Sequence, residues 1–385
     1  MLVLKVTTLF LITVIGLLNT ADAQQIQITP VDETSNNAEN EYTIHTAKGE
    51  ALSVRKYPGA LEFLSSRYTV SGFEQISISP GKHMFAFLSR EDNSYHAEIF
   101  QEDGEQVRSI SELEDYDPDD PSPYIYVLDN GEMFFRYNIS YFRHYDAKGE
   151  RLRTINNSSD SRHGEKISDL KVMPNSNAVL LYNARILYSN DQVGSRLRYY
   201  DGSGDPATIF TSDNRYIRNI SFSRNGQLII LHLVNESTGE HYAKAIDTDG
   251  NEYLSLEYEG FEPEELIAGN DGRYLTSRAS GRVMVHDMRT GESLGSTSIR
   301  GASSLAATYS SAHSSILILS GSLNENRREL SGLELRVVNV AERSINTEEI
   351  DGTYSWHDFL NLSIEPVEGN NYRITGMNRE LNISL

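Results

Sequence analysis

Hydrophobic positions along the chain come in short runs, each opened by a turn. Ser79-Pro80-Gly81 precedes Met84-Phe85-Ala86-Phe87, and Asp129-Asn130-Gly131 precedes Met133-Phe134-Phe135. The same order recurs at Pro174-Asn175-Ser176 before Ala178-Val179-Leu180-Leu181 and at Arg224-Asn225-Gly226 before Leu228-Ile229-Ile230-Leu231. Asn270-Asp271-Gly272, His313-Ser314 and Gly369-Asn370 open further runs, giving a mean step of about 48 residues. Between these turns lies a second mark, apolar-Asp-x-x-Gly, at Tyr145–Gly149, Tyr200–Gly204 and Ile246–Gly250. Looser copies stand at Phe100–Gly104 and His286–Gly291. Asn-Gly and Asp-Gly supply the positive φ of tight hairpins, and an Asp opening a turn bonds the backbone two residues on. Each repeat therefore predicts strand–turn–strand–loop–strand–turn–strand, an antiparallel meander. No long helical periodicity occurs.

A step of this length matches a four-stranded propeller blade. One second mark, His45-Thr46-Ala47-Lys48-Gly49, stands alone at the front, and the last first mark, near Gly369, has no second mark after it. Two orphan halves at opposite ends predict a composite blade, with strands at 42–45 and 51–56 joining strands at 359–364 and 372–377. The expectation is an all-β chain: a seven-bladed β-propeller of four-stranded antiparallel blades, its last blade closed by N- and C-terminal strands so that no sheet edge is left open. Five His residues (His45, His96, His144, His241, His286) are expected on third strands, in packing or turn-bonding roles.

Met1–Ala23 has the form of a secretory leader. Lys5 is followed by a mostly apolar stretch from Val6 to Leu18, too short to span a bilayer, and by Ala21-Asp22-Ala23 at a cleavage position. The predicted organisation is a signal peptide over 1–23, a polar tail over 24–40 and the propeller over 41–385. Cysteine is absent, which excludes disulfides, thiolate metal sites and Cys nucleophiles and fits a periplasmic or extracellular location. The formal net charge of −21 repels nucleic acid. No later stretch is long and apolar enough for a transmembrane segment.

The chain resembles the WD40-like and TolB-like β-propellers at Ser79-Pro80-Gly81, Ser223-Arg224-Asn225-Gly226 and Val285-His286-Asp287-Met288-Arg289-Thr290-Gly291-Glu292. The resemblance spans residues 41–385 as a degenerate pattern. It departs from true WD40 repeats at His286, which stands where their Trp would be. The resemblance implies a rigid scaffold whose function is set by what its loops carry.

In a blade with strands a to d, the a–b and c–d turns lie at one end and the b–c and d–a connections at the other. Here the first kind are short and Gly-marked. The second kind are expected to be longer and irregular: 57–74, 111–123, 156–167, 183–195, 321–332 and 350–357. Binding residues belong on that end. The candidates are Trp356, His357 and Asp358, an aromatic platform with an imidazole and a carboxylate, together with Arg162 and His163 and with Arg215 and Tyr216. Asp115, Asp117, Asp119 and Asp120 have an alternation that could wrap calcium, though the loop lacks an EF-hand's Gly and later Glu; a solvated acidic loop is the competing reading. Glu262-Pro263-Glu264-Glu265 forms a second acidic cluster.

No Gly-x-Ser-x-Gly elbow, His-Glu-x-x-His pair or phosphate-cradling loop occurs. The function expected is thus an exported, non-enzymatic module that binds a protein, peptide or glycan partner on its long-loop end. The alternative is a secreted propeller hydrolase or lyase with an axial, metal-assisted site, whose residues could converge from several blades without leaving a local motif.

Overall fold

The computed structural model describes residues 27–30, 41–45, 51–57, 60–63, 68–71, 73–81, 83–91, 94–101, 105–110, 113, 123–138, 141–156, 169–174, 176–187, 192–223, 225–269, 272–300, 302–324, 329–351, 354–355, 362–367, 371–375 and 381–385. Every regular element among them is a strand, and none of them forms a helix that could cross a membrane.

Seven sheets are uninterrupted antiparallel meanders with strand order a-b-c-d. The first comprises Glu41–His45, Ala51–Tyr57, Ala60–Phe63 and Tyr68–Ser71. The second comprises Phe73–Ile78, Met84–Glu91, Ser94–Gln101 and Gln106–Ile110, and the third Tyr124–Val127, Met133–Asn138, Tyr141–Tyr145 and Arg151–Asn156. The fourth follows with Asp169–Val172, Val179–Leu187, Val193–Tyr200 and Ala207–Ser212. Tyr216–Phe222, Ile229–Val234, His241–Ile246 and Glu252–Tyr258 make the fifth. The sixth consists of Glu265–Ala268, Tyr274–Ala279, Arg282–Asp287 and Ser293–Ser298. The seventh consists of Ser303–Ser310, Ser315–Asn324, Glu329–Asn339 and Ser344–Ile350, with Tyr354–Ser355 pairing its third strand.

The eighth sheet is composite. Gln27–Pro30 pairs with Leu381–Ser384, which pairs with Asn371–Thr375 and then Ser363–Pro366. Closure of the last blade by strands from both ends of the chain is therefore present. Its N-terminal partner is Gln27–Pro30, from the stretch read in sequence as a polar tail, and not the strands at 41–57. Those pair with one another and with Ala60–Phe63 to begin a sheet of their own, so the described residues form eight sheets beside the seven blades expected. The stretch 57–74, expected to be a loop, holds two of that sheet's strands. His45 accordingly lies on a first strand.

The chain divides into two compact units, one of residues 1–34, 280–283 and 295–385 and one of residues 35–279 and 284–294. In the larger unit each apolar cluster is shared by consecutive sheets. Leu88, Ala97 and Ile99 of the second sheet meet Ile125, Met133 and Phe135 of the third. Phe134 and Phe142 of the third meet Val179 and Leu181 of the fourth. Leu180 and Leu197 meet Ile220, Leu231 and Leu233, and Ile230, Ala243 and Leu254 meet Leu266 and Leu275. In the smaller unit Leu317, Leu319 and Leu335 pack on Ile364, Ile374 and Ile383. Alternate residues of an inner strand thus face opposite neighbours, which is why strands such as Ile229–Val234, buried at every position, read as continuous apolar runs.

Candidate functional site

The two ends of the sheets are built differently. At the a–b and c–d end the short turns lap onto the preceding sheet. Gly131, Gly226 and Gly272 of the first marks and Gly149, Gly202, Gly250 and Gly291 of the second all have positive φ. Asp146 accepts from the Lys148 and Glu150 backbone N–H at 2.8 Å each, and Asp247 does the same for Asp249 and Asn251. The Glu150 bond first holds the Asp146 carboxyl below the usual carboxylate range, the Asn251 side-chain amide first holds that of Asp247 there, and Asp201 is held down chiefly by Ser203. Close approach is also required: a Cβ on Gly250 would lie 2.5 Å from the Ile209 carbonyl oxygen of the neighbouring outer strand, and one on Gly226 2.2 Å from that of Pro174. Arg108, on the outer strand of the second sheet, donates to the carbonyls of Asp146 (2.8 Å) and Gly131 (3.2 Å), so one side chain clasps both turns of the third sheet. Arg153 donates to the Gly204 carbonyl and to the Asp205 carboxylate, both in the c–d turn of the fourth. His144 is stacked on Phe134 (ring centroids 4.4 Å) and bonded to Glu132 at 3.0 Å and Tyr200 at 3.3 Å. This end is a set of joints between sheets.

At the b–c and d–a end, arginines and tyrosines dominate. Arg215, just before the fifth sheet, lies over the Tyr242 ring at 3.6 Å. Its backbone is fixed on both sides: the carbonyl accepts from Ser195 Oγ (2.8 Å) and the N–H donates to Ser212 Oγ (3.1 Å). The Tyr242 hydroxyl donates to Glu240 at 2.8 Å, and Thr238 Oγ1 donates to the same oxygen at 2.7 Å; these bonds, Thr238 first, keep the Glu240 carboxyl low. Arg185, exposed on the second strand of the fourth sheet, pairs with Glu236 and lies 5.2 Å from the centre of the Tyr216 ring. A guanidinium over an aromatic face is attractive, and arginine and tyrosine are over-represented where proteins bind one another.

On the other face of the fifth sheet from Tyr242, at the same end, is a buried imidazole pair. His232 Nε2 and His241 Nδ1 are 2.9 Å apart. The register pairs His232 with Ala243 and Val234 with His241, which sets the two rings diagonally on one face of the hairpin. His232 is 1% exposed and its Nδ1 has no partner. Burial first, then the His241 and Arg218 charges, pushes His232 down to about 3. Burial and Arg218 also lower His241, against the pull of Glu262, whose Oε2 is 3.9 Å from His241 Nε2. Both rings are therefore neutral at pH 7.

A second cluster lies at the same end of the third and fourth sheets. Tyr126 donates to Asp169 Oδ1 at 2.5 Å, Tyr182 to Oδ2 at 3.5 Å, and Arg136 stands 3.7 Å from Oδ1 while covering the Tyr124 ring at 4.3 Å. Burial, then the Asp169 charge, raises both tyrosine hydroxyls.

Of the sequence candidates, Arg215 and Tyr216 are adjacent in chain but take part in two different stacks, one with Tyr242 and one with Arg185. Trp356, His357, Asp358, Arg162, His163 and the four aspartates Asp115, Asp117, Asp119 and Asp120 lie outside the described residues. Among the described residues no group of three or more His, Asp or Glu is placed to hold a metal ion. The cluster at 262–265 is not merely solvated: Glu264 and Glu265 pair with Arg278 at 3.4 and 3.0 Å. Two stretches expected as irregular loops are extended hairpins, with Ile186 opposite Gly194 and Leu323 opposite Leu330. Sequence reading missed Arg185, Arg218, His232 and Tyr242. The one available signal was the placing of His232 and His241 on either side of the turn at 235–240.

The chain is similar in fold to solved β-propellers. It superposes on the Dos1 propeller with a TM-score of 0.56 and 11% identity over 92% of this chain and 94% of that one. The C-terminal WD40 domain of Sif2 gives 0.49 and 9% over 90% and 93%, and a eukaryotic initiation factor 0.45 and 12% over 85% and 91%. No family model and no curated protein matches the sequence. The chain is a β-propeller of four-stranded antiparallel blades; at these identities the likeness is one of fold.

Proposed function

We propose that the protein is an exported binding module that holds a protein partner on the end carrying its b–c and d–a connections. The observation that carries this reading is the pair of stacks, Arg215 on Tyr242 and Arg185 over Tyr216, at the same end of consecutive sheets. The ring of each stack, Tyr242 and Tyr216, stands on a strand of the fifth sheet, so its placement costs little entropy on binding. The opposite end is taken up by turns and arginines that join the sheets, which leaves less of it for a partner. The leader at 1–23 and the absence of cysteine support export.

The test is copurification from the exporting cell. The partner recovered with the parent chain is expected to be lost, by tenfold or more, with the double variant Arg185→Ala/Tyr242→Ala and retained with Asp249→Ala at the other end. Equal recovery with all three proteins would contradict the reading.

A further inference from the structure

The turn at 235–240, between the second and third strands of the fifth sheet, supplies a carboxylate to each stack. Glu236 pairs with Arg185, and Glu240 accepts from the Tyr242 hydroxyl at 2.8 Å. Two backbone bonds frame the turn: Asn235 N–H to the Glu240 carbonyl (3.0 Å) and Gly239 N–H to the Asn235 carbonyl (2.8 Å). At its foot Val234 is opposite His241 in the register, and the bond between His232 and His241 ties the two strands together through their side chains.

The surroundings dictate where the protons of that bond lie. A neutral imidazole carries one N–H and one bare nitrogen. If His241 Nδ1 donated, His232 would carry its own proton on Nδ1, which is buried without an acceptor, and His241 would turn a lone pair toward the Glu262 carboxylate. His232 Nε2 is therefore the donor; its Nδ1 is bare, and the His241 Nε2–H is directed toward Glu262, 3.9 Å away. One more proton has two places to go. On His232 Nδ1 it makes a buried donor with no acceptor; on His241 Nδ1 it meets the His232 N–H and breaks the bond. Burial is the first obstacle to a positive ring, the Arg218 charge on the first strand adds to it, and Glu262 favours a positive His241. On the fourth strand Tyr258 lies opposite His241, its hydroxyl bonded to Ser277 of the sixth sheet, with the buried His286 ring beyond it. Arg278 of that sheet is held by Glu264 and Glu265.

We infer that the imidazole pair is an acid-sensitive latch on this turn: while both rings are neutral it keeps Glu236 and Glu240 in place at the two stacks, and on taking up a proton it lets the turn open and a bound partner leave. Release of the partner rests on the reading of this end as the binding end; the latch on the turn does not. Burial first holds His232 down to about 3 in the closed form. A ring that recovers its ordinary value near 6.5 on opening multiplies the open population by about 30 at pH 5.

The experiment follows amide hydrogen exchange of the full chain at pH 7.5 and pH 5, corrected for the intrinsic pH dependence of exchange. Protection of the Asn235 and Gly239 amides is expected to fall tenfold or more, while the Asp247 and Gly250 amides, in the c–d turn of the same sheet, keep theirs. His232→Gln/His241→Gln, whose amides bond without titrating, is expected to lose none, and His286→Gln to behave as the parent; melts at pH 7.5 establish that the variants fold. Nitrogen-15 spectra of the parent's histidine rings at pH 7.5 are expected to show a bare Nδ1 on His232. A protonated Nδ1 there would overturn the inference, since the added proton could then go to His241 Nε2, facing Glu262. So would unchanged protection in the parent, an equal fall at Asp247 and Gly250, or the same fall in the double variant. Should the turn open at pH 5 while the copurified partner stays bound, its release falls together with the reading of the binding end, and the latch on the turn stands.

Discussion

Single residues do two kinds of work here, and sequence revealed only one kind. Asp146, Asp201 and Asp247 were legible because a turn needs its acceptor and its glycine within five positions, and the structure forms those bonds. The Arg185–Tyr216 stack was not legible, because it joins residues 31 positions apart on different sheets, and no local rule links them. Two glycines separate backbone strain from close approach. Gly239 has a φ of 71° and nothing within 4 Å of where a methyl would project, whereas Gly250 has a φ of 84° and the Ile209 oxygen at 2.5 Å. Gly239→Ala is expected to cost about 1 kcal/mol of unfolding free energy, and Gly250→Ala about 3 kcal/mol, by chemical denaturation. Equal losses would show that the turn does not press on its neighbour. The imidazole pair sets a pH window. His232 titrates near 6.5 when unfolded and about 3 when folded, so its neutral form favours the fold above pH 6.5 and that contribution is lost as pH falls through 6.5 toward 3. By pH 5 the loss is about 2 kcal/mol. The depressed aspartates act only below about pH 4, near their unfolded values, so they leave the interval between pH 6.5 and 5 to the histidines. Melts of His232→Gln across that interval should be flatter than those of the parent; parallel curves would remove the pair from the account.

Elements were legible where a turn motif announced them and illegible where none did. The run of Gly-marked turns located the hairpins of the second to sixth sheets. The strands Ala60–Phe63 and Tyr68–Ser71 are four residues each and carry neither mark, so they read as loop. Gln27–Pro30 reads as polar tail for the same reason: four residues cannot display an alternation against their surroundings. Its place beside Leu381–Ser384 makes a direct prediction in a chain without cysteine. Ile28 is opposite Ile383 in the register, and opposed residues of antiparallel strands have Cα atoms about 4.5–5.5 Å apart, within disulfide range. The variant Ile28→Cys/Ile383→Cys is therefore expected to form an intramolecular disulfide on mild oxidation, seen by mass spectrometry. Ile28→Cys/Ile364→Cys, with two strands intervening and a separation of about 14 Å, is expected not to. The reverse outcome would contradict the composite sheet.

At the scale of the whole molecule, the repeat, the all-strand character of the described residues and the propeller class could be read from the chain, because they follow from a period sustained over its length. The site could not, since it is assembled from side chains on several sheets and the sequence offered only Arg215 and Tyr216 of it. The central claim is that the two ends have different work: one joins the sheets and the other meets a partner. The most direct measurement places a photo-crosslinking amino acid, one position at a time, at Glu236 and Glu259 on the b–c and d–a end and at Ser203 and Asp249 on the c–d turns, in cells that make the protein. The account predicts a discrete adduct from Glu236 and Glu259 alone, abolished by Tyr242→Ala. Adducts from Ser203 and Asp249, or none from either end, would contradict it.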